Sequence, residues 1–221
     1  MSSTAAAHIL GGRGTLLDQF IGELRDVAVQ TDRMRFRRNL ERIGEVMAYE
    51  ISRHLPMPVR EVTTPLGVAN VPMLEGQPVL ATILRAGLPM HQGLLNYFDK
   101  ADNAFISAYR LPHSADGSFD VKVEYLSSPS VEGRHVIMSD PMVATGSSIL
   151  LAVNALLRKG RPAHIHIVAA IASNEGLAHV QRNLPRNCTI WVAALDEELT
   201  AHAYIVPGLG DAGDLAFGTK D

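Results

Sequence analysis

The sequence predicts an α/β fold, a mainly parallel sheet flanked by helices, and two features carry that prediction. Apolar runs of strand length recur at 79–84, 104–109, 136–139, 164–172 and 189–195. Helical segments separate several of them, at 88–98, 149–159 and 175–184. Strands that alternate with helices imply parallel pairing with both faces of the sheet covered. A chain of 221 residues, 47% of them hydrophobic, can bury a sizeable core, and we read 1–221 as a single domain.

The elements follow in order. Residues 1–14 read as a mobile N-terminus, with Gly11-Gly-Arg-Gly14 as a flexible entry. From Leu16 to Leu55 apolar residues return at helical spacing (Leu17, Phe20, Ile21, Leu24, then Phe36, Leu40, Ile43, Met47). Thr31-Asp32 divides this stretch into two helices and can cap the second. The arginine-rich face of that helix reads as a solvated surface, with a subunit contact as the rival. Pro65, Gly67 and Pro72 make 59–74 a pair of short, irregular strands. Strict alternation over 119–125 predicts a half-exposed strand, and Asp116-Gly117 before it signals a turn, so a hairpin arm is expected.

Composition excludes several classes. A net charge of −3 gives no broad basic surface, so nucleic acid is not an expected partner. The lone cysteine, Cys188, precludes an internal disulfide and fits a reducing compartment. No apolar run reaches the length of a membrane span, and the first residues lack the pattern of a signal peptide. A soluble, cytoplasmic protein is expected, with no membrane partner.

The chemistry concentrates in Val136-Ile-Met-Ser-Asp-Pro-Met-Val-Ala-Thr-Gly-Ser-Ser148. An apolar strand ends in an acid, and a loop of small residues leads into a helix. That arrangement makes an anion site from backbone amides. Thr145, Gly146, Ser147 and Ser148 let a phosphate approach the main chain, and the Gly-Lys-Ser/Thr ending of a Walker loop is absent. Asp140 either caps the following turn or meets a sugar's hydroxyls. A phosphorylated ribose suits both the acid and the loop. Because Ser147 restricts positive φ, the loop should avoid that conformation there.

Asp140-Pro-Met-Val-Ala-Thr-Gly-Ser-Ser148 resembles the phosphoribosyl pyrophosphate loop of uracil phosphoribosyltransferases, usually Asp-Pro-Met-Leu-Ala-Thr-Gly-Gly-Ser. Ile83-Leu-Arg-Ala-Gly-Leu88 is similar to a second block of that family. Tyr204-Ile-Val-Pro-Gly-Leu-Gly-Asp-Ala-Gly-Asp214 with Phe217-Gly-Thr219 is similar to a third. Leu24-Arg-Asp26, Thr31, Phe36-Arg37 and Tyr49-Glu50 extend the resemblance over nearly the whole chain. It implies a single phosphoribosyltransferase domain of the type I fold, with a β-hairpin arm and a C-terminal base-binding hood. The implied reaction is pyrimidine salvage, in which uracil and phosphoribosyl pyrophosphate give UMP and pyrophosphate. Mg²⁺ would be carried by the pyrophosphate, with none held by the protein alone. A homodimer or higher homo-oligomer is implied, and GTP binding stays open. A non-catalytic nucleotide-sensing regulator of the same fold is the alternative.

The resemblance also implies the roles of particular residues. Arg85, Asp140 and Asp211 would be catalytic. The donor would be bound by Arg85, Arg110, Asp140, Pro141, Met142, Val143, Ala144, Thr145, Gly146, Ser147, Ser148 and Asp211. Uracil would be bound by Ile205, Gly210, Asp211 and Ala212. Arg85 carries a fork suited to oxyanions, and the adjoining Ala86-Gly87 reads as room for a ligand near the backbone. Leu111-Pro-His-Ser-Ala-Asp-Gly117 departs from the family's Arg-Asn-Glu-Glu-Thr pattern. Gly208-Leu-Gly-Asp-Ala-Gly213 matches a dinucleotide fingerprint formally, but Pro207 precedes it and too few residues follow for a helix and second strand. We read it as a tight loop offering main-chain groups to a planar base. His164 and His166 share a strand face, yet no third ligand stands at metal-site spacing.

Overall fold

A computed structural model describes residues 4–110 and 121–219, with the main chain alone at 108–110 and 121–123. The chain opens with β1 (Ala6–Ile9), α1 (Leu16–Arg25) and α2 (Arg33–Ser52), followed by a hairpin of β2 (Val59–Thr64) and β3 (Gly67–Pro72). Next come β4 (Val79–Leu84), α3 (Leu88–Leu95), β5 (Asp102–Arg110), β6 (Val121–Ser127), β7 (His135–Ser139) and the short β8 (Met142–Val143). The last third holds α4 (Ser147–Leu157), β9 (His164–Ser173), α5 (Asn174–Asn183), β10 (Cys188–Asp196), β11 (Glu198–Leu199), β12 (Ile205–Val206) and α6 (Ala212–Phe217).

The main sheet runs β1-β10-β9-β7-β4-β5-β6, with β8 added to β9. Every pairing in it is parallel except β5 with β6. The carboxyl ends of β4, β5 and β7 therefore lie along one edge. Alternate residues of the central strands feed two cores. Leu80, Ile137, Val168 and Trp191 pack with α1, α2 and α3 on one face. Val79, Ala81, Val136, Met138 and Ile167 pack with α4 and α5 on the other. Burial on both faces is why these strands are continuously apolar, and each large side chain fully removed from water contributes ~1.5–3 kcal/mol.

Three expectations need amendment. Residues 1–14 were expected as a mobile lead-in, but Ala6–Ile9 pair in parallel with β10 as the edge strand. The entry loop is also tied down: the amides of Leu10 and Gly11 donate to Val192 and Ala193 carbonyls, each at 2.9 Å. Those of Gly12, Arg13 and Thr15 donate to the Asp18 carboxylate, which holds its pKa below the ordinary value. Secondly, β2 and β3 pair without irregularity, in a continuous antiparallel register from Val59↔Pro72 to Thr64↔Gly67. Thirdly, the Gly208–Gly213 loop leads into the six-residue helix α6, although no strand follows among the described residues. Asp32 does cap α2, its side chain accepting from the Arg35 amide at 3.0 Å. The hairpin arm is present in β5 and β6, which pair up to Arg110↔Val121; its tip, including His113 and the departing segment, lies outside the described residues.

Candidate active site

At the carboxyl edge of the sheet, a pocket of about 490 Å³ is lined by Arg85, Asp140, Met142, Ser148 and Asp211 among others. They arrive from three parts of the chain, each for a local reason. β4 ends at Leu84 and delivers Arg85 to the edge. β7 ends at Ser139, and Asp140 follows with its amide donating to Val168 O at 3.1 Å. The phosphate loop is less free than its composition suggests. Pro141 O accepts from the amides of Ala170 and Ile171 at 3.1 and 3.0 Å, and Met142 and Val143 continue the pairing as β8. Ser173 Oγ donates to Ala144 O at 2.7 Å, so the loop is also fastened to the start of α5.

This pinning sorts the loop residues. Pro141, Met142, Ala144 and Ser148 line the pocket. Val143 is 1% exposed and faces the core, so its side chain is a packing element. Thr145, Gly146 and Ser147 form the turn into α4 and are not pocket-lining residues. Gly146 takes the positive φ, at 81°, as the N-cap, and Ser147 opens the helix. A side chain on Gly146 would collide with Val180. The first turn of α4 thus presents its amides beside Ser148 at the pocket wall, where the helix dipole favours an anion.

Arg85 Nη2 donates to Gly218 O at 3.1 Å and lies 3.3 Å from Asp214 Oδ1. Its Nε is buried with no hydrogen-bond partner among the described residues. The expectation that Gly87 makes room for a ligand is corrected: a Cβ there would strike Thr82 Oγ1 and come within 2.8 Å of Ser139 O. Gly87 therefore permits close packing of protein on protein, while Ala86 lines the pocket. Arg110 ends β5, and its side chain lies outside the described residues.

The C-terminal segment closes the other side. Gly210, Asp211, Ala212 and Gly213 line the pocket, and Asp211 Oδ1 accepts from the Asp214 amide at 2.9 Å as the cap of α6. Ile205 is 4% exposed and lies behind the lining in the core. Ile83, Leu84 and Gly213 line the pocket from within the quoted blocks without having been assigned to it, and so do Ala203, outside every block, and Tyr204, at the start of one. Ala203 and Tyr204 lie in the turn between β11 and β12, two-residue strands too short for a periodic signal.

His135, His164 and His166 gather at the opposite, amino-terminal edge, with ring centroids 4.6–6.3 Å apart. Burial lowers the pKa of all three, that of His166 to about 3. No group of three ligands among the described residues could hold a metal ion. Met138 and Trp191 are core residues. No helix among the described residues is long and apolar enough to cross a membrane.

A family model described as uracil phosphoribosyltransferase matches residues 14–219. The chain is 56% identical over 211 residues to a uracil phosphoribosyltransferase of Porphyromonas gingivalis, covering 96% of this chain and 97% of the relative. It is 40% identical over 187 residues to that of Shouchella clausii, covering 84% and 87%. Among solved structures, the AQ2163 protein from Aquifex aeolicus superposes with a TM-score of 0.83 at 28% identity, covering 96% of this chain and 98% of that one. A Staphylococcus aureus hypoxanthine phosphoribosyltransferase gives 0.50 at 12% identity over 85% and 84%, a likeness of fold. The fold is that of the type I phosphoribosyltransferases.

Proposed function

Because this chain belongs to the uracil phosphoribosyltransferase family, we propose that it transfers the 5-phosphoribosyl group of phosphoribosyl pyrophosphate to uracil, releasing UMP and pyrophosphate. One observation carries the proposal to these residues: Arg85, Asp140 and Asp211 share one pocket with the main chain of Gly210 and Ala212. The bond between C1 of the ribose and the pyrophosphate oxygen breaks, and its electrons leave with pyrophosphate. N1 of uracil supplies the new bond and loses its proton. Positive charge develops on the ribose ring between these events.

Each residue answers to part of that charge movement. The α4 amides and the Ser148 hydroxyl suit the 5-phosphate, which anchors the donor without taking part in the chemistry. The Asp140 carboxylate suits the ribose hydroxyls and favours the cationic transition state. The Arg85 guanidinium suits the departing pyrophosphate, where a fork of donors meets developing negative charge. Asp211 faces the donor from the other wall. Uracil's edge suits main-chain groups around Ile205, Gly210 and Ala212, so cytosine would leave fixed donors and acceptors mismatched. The rate advantage then comes chiefly from alignment of two substrates and from stabilising the leaving group.

Mg²⁺ prefers a few carboxylates together with substrate phosphates, and Asp140 and Asp211 are the carboxylates lining the pocket. Bound with the donor, the ion would offset pyrophosphate charge. We infer a homo-oligomer as well: β2, β3 and the turn between them expose Val59, Val68 and Leu66, the last fully, and a lone two-stranded hairpin is marginal in water. The compartment we infer is the cytoplasm, since a single cysteine fits reducing surroundings. Formation of UMP from uracil and phosphoribosyl pyrophosphate with Mg²⁺ tests the reading. Nucleotide binding without UMP formation would instead support the sensing module.

A further inference from the structure

The pocket's base-facing loop is held from behind by residues that do not line it. Asp196 ends β10 and is 5% exposed. Arg25 ends α1 and meets it with two parallel bonds, Nη1 to Oδ2 at 2.8 Å and Nη2 to Oδ1 at 2.6 Å. Between them sits Gly208, whose amide donates to Asp196 Oδ2 at 3.1 Å and whose carbonyl accepts from Arg25 Nη1 at 2.9 Å. Both main-chain polar groups of one residue are thus gripped by one ion pair. Gly208 has φ +61°, and a Cβ there would run into Ile205 O, so no other residue fits the grip. Gln30 Nε2 extends the contact, donating to Leu209 O at 3.2 Å.

We propose that Arg25 and Asp196 are positioning residues for the base: by clamping Gly208 they set where the main chain of Ile205 to Ala212 stands against uracil. The inference rests on the reading of that loop as the base pocket. The reasoning is geometric. Discrimination by backbone amides and carbonyls has no side chain to readjust, so its accuracy equals the accuracy with which the loop is placed. Gly208 lies two residues before Gly210, which lines the pocket. An ion pair with a bidentate fork, one partner nearly buried, fixes direction as well as distance. The phosphate loop is held by other contacts, from Ser173 and β9, and the donor-facing Asp211 caps α6, which Arg37 and Arg85 hold separately, so the clamp should act on the base and leave the donor alone.

The test compares Arg25→Gln, Arg25→Lys and Asp196→Asn with the parent enzyme. Readouts are uracil KM, kcat, donor affinity by calorimetry, and hydrogen exchange of the amides of Ile205, Val206 and Gly208 to Gly210. We expect Arg25→Gln to raise uracil KM tenfold or more, with donor affinity within twofold and faster exchange confined to the loop. Arg25→Lys keeps the charge but lacks the planar fork that meets both Asp196 oxygens, so it should recover only part of the loss. If Arg25→Gln does not fold, the two conservative variants carry the same comparison. Unchanged uracil KM in a folded variant overturns the proposal, as does an equal loss of donor and base binding. Ala212→Leu, run alongside, separates the two levels. If it raises uracil KM while the clamp variants do not, only the clamp is wrong. If it too leaves uracil KM unchanged, the base-pocket reading fails.

Discussion

Arg85 and Asp214 approach to 3.3 Å beside the pocket, linking the end of β4 to the helix of the C-terminal segment. The same guanidinium holds Gly218 O, while Arg37 Nη1 holds Ala216 O at 2.7 Å. The segment proposed to face the base is therefore attached to the arginine proposed for pyrophosphate. Removing the guanidinium should cost both functions. Arg85→Gln is expected to lower kcat/KM for the donor about 100-fold, near 2.7 kcal/mol, whereas Asp214→Asn should change it severalfold at most. Steady-state kinetics with varied donor checks both; a larger effect at Asp214 would reverse the assignment.

Asp140 follows β7 directly at the pocket wall. Replacing it with Asn keeps the shape and removes the charge that favours a cationic transition state. A fall in kcat/KM of one to three orders of magnitude is expected, roughly 1.4–4 kcal/mol. Normal turnover in a folded variant contradicts the role.

Gly146 combines a positive φ with a close approach to Val180. Gly146→Ala should therefore lose about 1–3 kcal/mol of stability in addition to weakening donor binding through a displaced α4 terminus. Denaturant melts together with donor KM test this. A variant as stable as the parent would show that the turn relaxes without strain.

Ala212 is 3% exposed and lines the pocket. Ala212→Leu should obstruct the base and raise uracil KM sharply while donor binding, measured by calorimetry, stays nearly intact. Equal loss of donor affinity would mean that the loop acts on the ribose side.

The histidine group predicts a pH dependence. His166 is held neutral chiefly by burial, with its pKa near 3, and the neighbouring His164, His135, His54 and His8 add repulsion to its charged form. On unfolding it regains the ordinary value of about 6.5 and takes up a proton as pH falls below that. The unfolded state then binds more protons, so stability is complete above pH ~6.5 and declines toward the folded value. From pH 7 to pH 5, His166 alone should remove about 2 kcal/mol. Over this range Glu23, lowered to about 2 by Arg35 and Asn39, stays ionised when folded and nearly so when unfolded. Melting curves of the parent and His166→Phe decide it: the variant should show the shallower slope.

The sequence made some of this architecture legible and hid the rest for identifiable reasons. The central strands β4, β7, β9 and β10 are buried on both faces, so they appear as plain apolar runs. The small strands are different. In β1 four residues, Ala-Ala-His-Ile, acquire their identity only by pairing with β10. Helix α6 is too short for periodicity, and its cap, Asp211, was read for chemistry instead. The strand-end Arg85 and Asp140 and the loop acid Asp211 were accessible because each sits in a local block. The clamp of Arg25, Asp196 and Gly208 was not, since its partners are 171 and 183 positions apart. Gly87 misled because a small residue beside a candidate binding arginine looks like space, when the space is filled by Thr82 and Ser139.

The central claim is that a uracil-selective transferase works in this pocket, and pyrophosphate release with four bases tests it most directly. With phosphoribosyl pyrophosphate and Mg²⁺ present, uracil should release pyrophosphate at least a hundredfold faster, per kcat/KM, than cytosine, orotate or hypoxanthine. Comparable release with hypoxanthine or orotate, or none with uracil, would contradict the account.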